Sequence, residues 1–214
     1  YVLTKAAARR PRILIGKDTR KSGDMLEAAL TAGLCSMGAK VIPLGVIPTP
    51  AVAYLTRLYK ADAGVVISAS HNPCEYNGIK FFNSEGYKLK DEIEDEIEDY
   101  IEGRKTLDHL PTHGAVGYVS ANHNAVEDYV NFAISTVDTR LDGLKVAIDC
   151  ANGASYQTAF KALNKLGANV EAIHNTPDGV NINHQCGSTH MESLCAYVTS
   201  IGADVGIAFD GDAD

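Results

Sequence analysis

Blocks of apolar residues alternate with amphipathic stretches along the chain. Arg12-Ile13-Leu14-Ile15-Gly16 is short and apolar, and predicts a buried strand. Over residues 22–38, Leu26, Leu30, Leu34 and Met37 recur at helical spacing, with Ser22 in the N-cap position and Gly38 as the stop. "AKVIPLG" predicts the next strand, Pro48 to Tyr59 the next helix and "AGVVIS" a further strand. A helix is predicted over 120–136, after which "LKVAIDC" opens a second strand–helix series. This alternation predicts a layered α/β protein with largely parallel sheets. Residues 91–104 place Ile93, Ile97, Tyr100 and Ile101 on one helical face, and the many carboxylates between them read as a solvated face. Residues 104–117 read as a linker, which sets the expected domains at 1–110 and 111–214.

The second series echoes the first. "RILIGKD", "MGAKVIPLG" and "ADAGVVISAS" match "KVAIDCA", "LGANVEAIH" and "ADVGIAFDGD", in the same order along the chain. Two copies of one unit are expected. In this alignment Ser70 and Asp212 fall just past the ends of equivalent strands. Open α/β sheets bind ligands outside the carboxyl ends of their strands, so the two ends are expected to face one cleft.

Composition narrows the class. A hydrophobic content of 45% with 21% charged residues fits a soluble domain with a real core. The net charge of −8 argues against general nucleic-acid binding, which calls for a basic patch. No apolar run approaches the roughly 20 residues of a membrane span, and "YVLTKAAARR" has the look of a helix tail rather than a secretory leader. The five cysteines are odd in number, widely spaced and without a CxxC pair, so neither a zinc site nor a disulfide framework is expected. A reducing cytoplasm is the simplest compartment, and Cys35 and Cys195, in helical patterns, are expected in the core.

Candidate chemistry sits at the strand ends. "SASHNPCEYNGIK" follows the buried run Val65-Val66-Ile67 and holds Ser70 at a rigid point. His71, Asn72 and the turn amides are donors, and Lys80 follows the Asn77-Gly78 turn. A phosphoryl-carrying serine needs this combination of positioned hydroxyl, donors and proton carrier; an ordinary polar turn would also accommodate it. "DGDAD" alternates Asp210, Asp212 and Asp214 after "VGIAF". Carboxylates this close repel unless a cation neutralises them, and an all-oxygen donor set suits Mg²⁺ or Ca²⁺. "GKDTRKSG" puts Lys17, Arg20 and Lys21 before a helix, as an anion loop or a solvated basic loop. "PDGVNINHQCGSTH" is a substrate loop or a connection.

Taken together, these motifs resemble the α-D-phosphohexomutase family, "SASHNP…NGIK" its phosphoserine loop and "DGDAD" its metal loop, without the arginine that normally follows. The resemblance implies two consecutive three-layer α/β/α domains related by internal duplication, cut at both outer ends, and a longer parent protein carrying two more domains. It implies Ser70 as the phosphorylated residue, Lys80 as general acid/base, and Arg20 and His71 as supports of the phosphate. It implies Mg²⁺ held by Asp210, Asp212, Asp214 and the Ser70 phosphate. "GKDTRKSG", "PTPAVAYL" and "GVNINHQCGSTH" look most like the branch that interconverts glucosamine 6-phosphate and glucosamine 1-phosphate through a bisphosphorylated sugar, feeding bacterial cell-wall precursors. The implied partner is a small hexosamine phosphate, with no nucleic acid, no membrane and a homodimer as the candidate assembly. The chain by itself is expected to be inactive. The alternatives are the branch acting on mannose and glucose phosphates, a phosphatase, and a non-catalytic phosphosugar or metal-binding module.

Overall fold

The computed structural model describes residues 1–2, 9–107, 110–122 and 124–214. The helix tail expected for residues 1–10 falls largely outside them. The first sheet takes its centre from the apolar runs. Strands β1 (Arg12–Lys17), β2 (Lys40–Val46) and β3 (Ala63–Ile67) are parallel, with β1 in the middle. Strand β4 (Ile79–Asn83) adds to β3 antiparallel, pairing Lys80 with Val66. Strand β5 (Tyr118–Val119) adds to β2, giving the order β4-β3-β1-β2-β5. The first sheet thus recruits two residues from beyond the boundary expected at 110.

Successive side chains of a strand point to opposite faces, and both faces here are apolar. Ile13, Ile15, Val65 and Ile67 pack against Leu26, Leu30 and Leu34 of α1 (Ser22–Ser36). Leu14 and Val66 face Val52 and Leu55 of α2 (Thr49–Leu58). Three layers result. Helix α2 sits so close that a Cβ on Gly64 of β3 would lie 2.3 Å from Thr56 Oγ1. Ser22 is the first helical residue of α1 rather than its cap, and its hydroxyl donates to Asn77 Oδ1 instead (2.5 Å). Helix α3 (Asp91–Ile101) buries no residue completely, in keeping with the solvated face that its carboxylates predict.

The second sheet repeats the plan. Strands β6 (Lys145–Asp149), β7 (Asn169–Ile173) and β8 (Val205–Ala208) are parallel in the order β7-β6-β8. The central strand again comes first in the chain, so β8-β6-β7 reproduces β3-β1-β2. Val146 and Ile148 pack on Tyr156, Ala159 and Leu163 of α5 (Ser155–Lys165), while Leu194 of α6 (Glu192–Ile201) is buried beside Gly206 of β8. Cys195, expected in the core, is exposed on α6 because the neighbouring Leu194 takes the inward position.

Helix α4 (Ala125–Ser135), a few residues shorter than predicted, joins the two units. Phe132 stacks on Tyr54 of α2 with centroids 3.7 Å apart, and Tyr59 donates to Asp128 Oδ2 at 2.5 Å. Glu127 accepts from Lys161 and Lys165 of α5 (2.6 and 2.8 Å). No helix among the described residues is long and apolar enough to cross a membrane.

Candidate active site

Strand β3 ends at Ile67, and the chain beyond it folds into a loop with few ladder bonds. Ser68, buried, supplies the first support: its hydroxyl donates to Asp18 Oδ2 (2.6 Å) and accepts from the Ser70 amide (3.0 Å). Ser70 adopts φ +52°, a left-handed conformation that costs a non-glycine residue about 1 kcal/mol. Its carbonyl accepts from Arg20 (3.3 Å) and from Asn183 (2.8 Å), and the Asn72 carbonyl accepts from the same two side chains (2.5 and 3.0 Å). Arg20 is itself buried against Asp18, whose carboxyl burial pushes up, opposed by Ser68 and Arg20. Arg20 therefore supports the loop backbone from beneath. His71 lies exposed, with no side-chain hydrogen bond among the described residues.

The carboxylate loop arrives from the second unit. Ser70 donates to Asp210 Oδ2 at 2.5 Å, across 140 residues of sequence. Asp212 is fully buried, and its Oδ2 accepts from Lys80 Nζ and Thr49 Oγ1, each at 2.7 Å. Its carbonyl accepts from the Thr49 amide (2.9 Å), tying the loop to the start of α2. Burial opposes ionisation of Asp212, but the bonds from Lys80 and Thr49 outweigh it and hold its carboxyl below the usual range. Asp214 is pushed up by burial and by the Asp212 and Asp210 charges beside it.

Asp210, Asp212 and Asp214 bring one oxygen each within 4.8 Å of one another. Asp212 Oδ1 is buried and makes no hydrogen bond. An orphaned buried carboxylate oxygen inside an all-oxygen cluster fits a hard divalent cation, which would satisfy it and relieve the repulsion that raises Asp214. Gly211 is needed for space: a Cβ there would lie 2.6 Å from the Ser70 carbonyl and 2.7 Å from Asn183 Nδ2.

The basic loop is largely spoken for. Lys17 is pinned by Asp24 and Glu27 (2.6 and 2.5 Å), and Arg20 by Asp18. Thr19 and Lys21 serve the contact between the units, through Asn152 O (2.5 Å) and Gly179 O (2.9 Å). A second cluster, Asp149, His174 and Cys186, lies at the root of the long polar loop. Both oxygens of buried Asp149 are taken, by the Ala151 amide on one and by His174 Nδ1 and the Gly187 amide on the other (2.9, 2.9 and 3.0 Å). Burial pushes the Cys186 thiol up to about 11, so it stays protonated. With both carboxylate oxygens engaged, Asp149 acts as a latch that holds Ala151, His174 and Gly187 together.

The structure thus gathers Ser70, Lys80, Asp210, Asp212 and Asp214 into one cluster, puts Arg20 under the serine loop and leaves His71 exposed, next to Ser70 in the chain. Sequence reading missed Thr49, Asp18, Ser68 and Asn183. Asp18 and Thr49 lie inside stretches that the sequence singles out, "GKDTRKSG" and "PTPAVAYL", but nothing in those stretches marks them as site residues, and Asn183 is visible only as one polar residue of a loop with two readings.

Two duplicated α/β/α units meeting at their strand ends define a phosphohexomutase architecture. The chain belongs to the phosphoglucomutase/phosphomannomutase family: residues 1–108 match its alpha/beta/alpha domain I and residues 124–214 its alpha/beta/alpha domain II. It is 61% identical over 214 residues to a phosphoglucosamine mutase of Clostridium novyi, covering all of this chain and 47% of the relative. It is 62% identical over 214 residues to that of Ruminiclostridium cellulolyticum, again over the whole chain and 48% of the relative. The chain therefore spans about half the length of the curated relatives it matches. Among solved structures, a putative phosphomannomutase from Thermus thermophilus superposes with a TM-score of 0.78 at 25% identity, over 99% of this chain and 48% of that one. A phosphoglucomutase/phosphomannomutase family protein from Burkholderia thailandensis gives 0.76 at 26% identity, over 94% and 44%.

Proposed function

We propose that this chain is the phosphoserine- and metal-bearing half of a phosphoglucosamine mutase. The observation that carries the reading is the 2.5 Å contact between Ser70 Oγ of one unit and Asp210 Oδ2 of the other. A serine at a rigid strand end, set against a carboxylate cluster that suits Mg²⁺, is what phosphoryl transfer requires, since positioning and charge neutralisation supply most of its catalysis. The identities near 60% favour glucosamine phosphates over mannose or glucose phosphates as substrates.

In the proposed cycle Ser70 carries a phosphoryl group. The bond from Ser70 Oγ to phosphorus breaks as a hydroxyl of glucosamine 6-phosphate bonds to that phosphorus, giving a sugar bisphosphate and free serine. The sugar reorients and returns its other phosphoryl group to Ser70, leaving glucosamine 1-phosphate. Lys80, held on β4 by Asp212, is the proton carrier for the sugar hydroxyl. Arg20 keeps the loop carbonyls in place, and His71, exposed beside the serine, is available to a bound phosphate. Mg²⁺ held by Asp210, Asp212 and Asp214 would neutralise charge on the phosphoryl oxygens. Five free thiols support a reducing, cytoplasmic setting. The charge of −8 favours a small-molecule partner over nucleic acid, and light scattering on the full-length protein would test a homodimer.

The test uses the full-length protein. A phosphate adduct localised to Ser70 by mass spectrometry is expected, together with loss of glucosamine 6-phosphate turnover in Ser70→Ala. Full activity in that variant would overturn the assignment. Faster turnover of mannose or glucose phosphates would move the protein to the other branch.

A further inference from the structure

We propose that Asn183 is a positioning residue, which grips the backbone of the Ser70 loop from the second unit and so sets the serine hydroxyl in register with the carboxylate loop. The inference rests on the reading of Ser70 as the phosphoryl carrier. Two donors from two different units converge on the same two acceptors. Asn183 Nδ2 donates to the carbonyls of Ser70 and Asn72 (2.8 and 3.0 Å), and the Arg20 guanidinium donates to the same pair (3.3 and 2.5 Å). These carbonyls lie beyond the end of β3, where no neighbouring strand serves them, and one belongs to a residue at φ +52°. A loop held against its backbone preference stays there only while its surroundings over-determine it.

Asn183 is built to be that constraint. It is 9% exposed and sits at φ +58°, a conformation that asparagine tolerates better than most residues. Its amide donates to Ala151 O (2.9 Å), next to the latch in which Asp149 holds Ala151, His174 and Gly187. The side chain is therefore anchored at the C-terminal end of β6, the central strand of the second sheet. Gly211, between the first two carboxylates of the site, packs against both ends of the Asn183–Ser70 bond. Asn183 thus ties the serine loop, through its side-chain amide, to the second sheet, through its backbone N–H, with Gly211 of the carboxylate loop close beside the grip. A displacement of about 1 Å at a reacting group costs on the order of 100-fold in rate, so a grip of this kind acts on the chemical step rather than on substrate affinity.

The test uses Asn183→Gly and Asn183→Asp in the full-length protein. Glycine keeps the left-handed backbone and removes the donors; aspartate keeps the shape and turns oxygens toward two carbonyls. Hydrogen exchange read by mass spectrometry should quicken about tenfold or more over residues 69–77 in both variants, with β1 and β6 unchanged. The kcat for glucosamine 6-phosphate should fall about 10- to 100-fold with KM within about threefold. Unchanged exchange over 69–77 overturns the proposal, as does a rise spread evenly over the protein, or quicker local exchange with parental kcat. A parent enzyme that turns over no hexose phosphate would defeat the mutase reading, while the exchange measurement would still decide whether Asn183 grips the loop.

Discussion

At the scale of single residues, the site depends on atoms that leave no room for others. Gly211→Ala would drive a methyl group to 2.6 Å from the Ser70 carbonyl, a backbone atom that cannot swing aside. We expect the full-length variant to fold and to lose about 100-fold in kcat, measured by steady-state turnover of glucosamine 6-phosphate; a loss below about threefold would show that the serine loop tolerates the shift. Ser70 and the Asp triplet are legible as sequence, because a core strand that ends in small polar residues or alternating acids has few structural reasons to do so. Thr49 and Asn183 are not. Each acts by meeting a partner more than 100 residues away, and nothing in their local surroundings marks that partner.

At the scale of elements, helix packing makes two predictions. Gly64→Ala sets a methyl group 2.3 Å from Oγ1 of Thr56, a fully buried residue of α2. Overpacking of this kind costs about 1–3 kcal/mol, and the urea midpoint should fall accordingly. Adding Thr56→Ala should restore part of the loss, whereas additive losses would place the strain elsewhere. The second prediction concerns α2 against α4. Burial, and then the bond to Asp128, push the Tyr59 hydroxyl up to about 12. Because the folded value lies above the ordinary value of about 10, the contribution is complete below about pH 10 and is lost as pH rises through about 12. Tyr59→Phe should cost about 1 kcal/mol near neutral pH, and its thermal midpoint should approach that of the parent as pH climbs through this window. A constant gap would mean that the hydroxyl does not titrate as described. Periodicity reveals these helices to within a few residues. It does not reveal β4, whose antiparallel return brings Lys80 beside the end of β3, because a short strand following a turn has little pattern of its own.

At the scale of the molecule, strand ends from two units meet at Ser70 and Asp210, and the proposed function predicts from this a coupling of metal binding to phosphorylation. Phosphate on Ser70 adds roughly −1.5 to −2 charges and strong acceptor oxygens beside Asp210. Phosphorylated full-length protein should therefore bind Mg²⁺ more tightly than dephosphorylated protein in isothermal titration. Equal affinities would mean that Ser70 and the Asp triplet do not share the ion. The sequence by itself determined the α/β class, the duplicated order of strands and the candidate residues for chemistry, because buried strands and amphipathic helices repeat with fixed periods and because polar and acidic groups at strand ends stand out against them. Only the tertiary structure decided that Arg20 lies under the serine loop while His71 is left exposed on it, that Lys17 is spent on Asp24 and Glu27, and that Asn183 reaches across from the second unit. Those outcomes are set by which distant surfaces pack together, and the burial and hydrogen bonding they impose have no period along the chain.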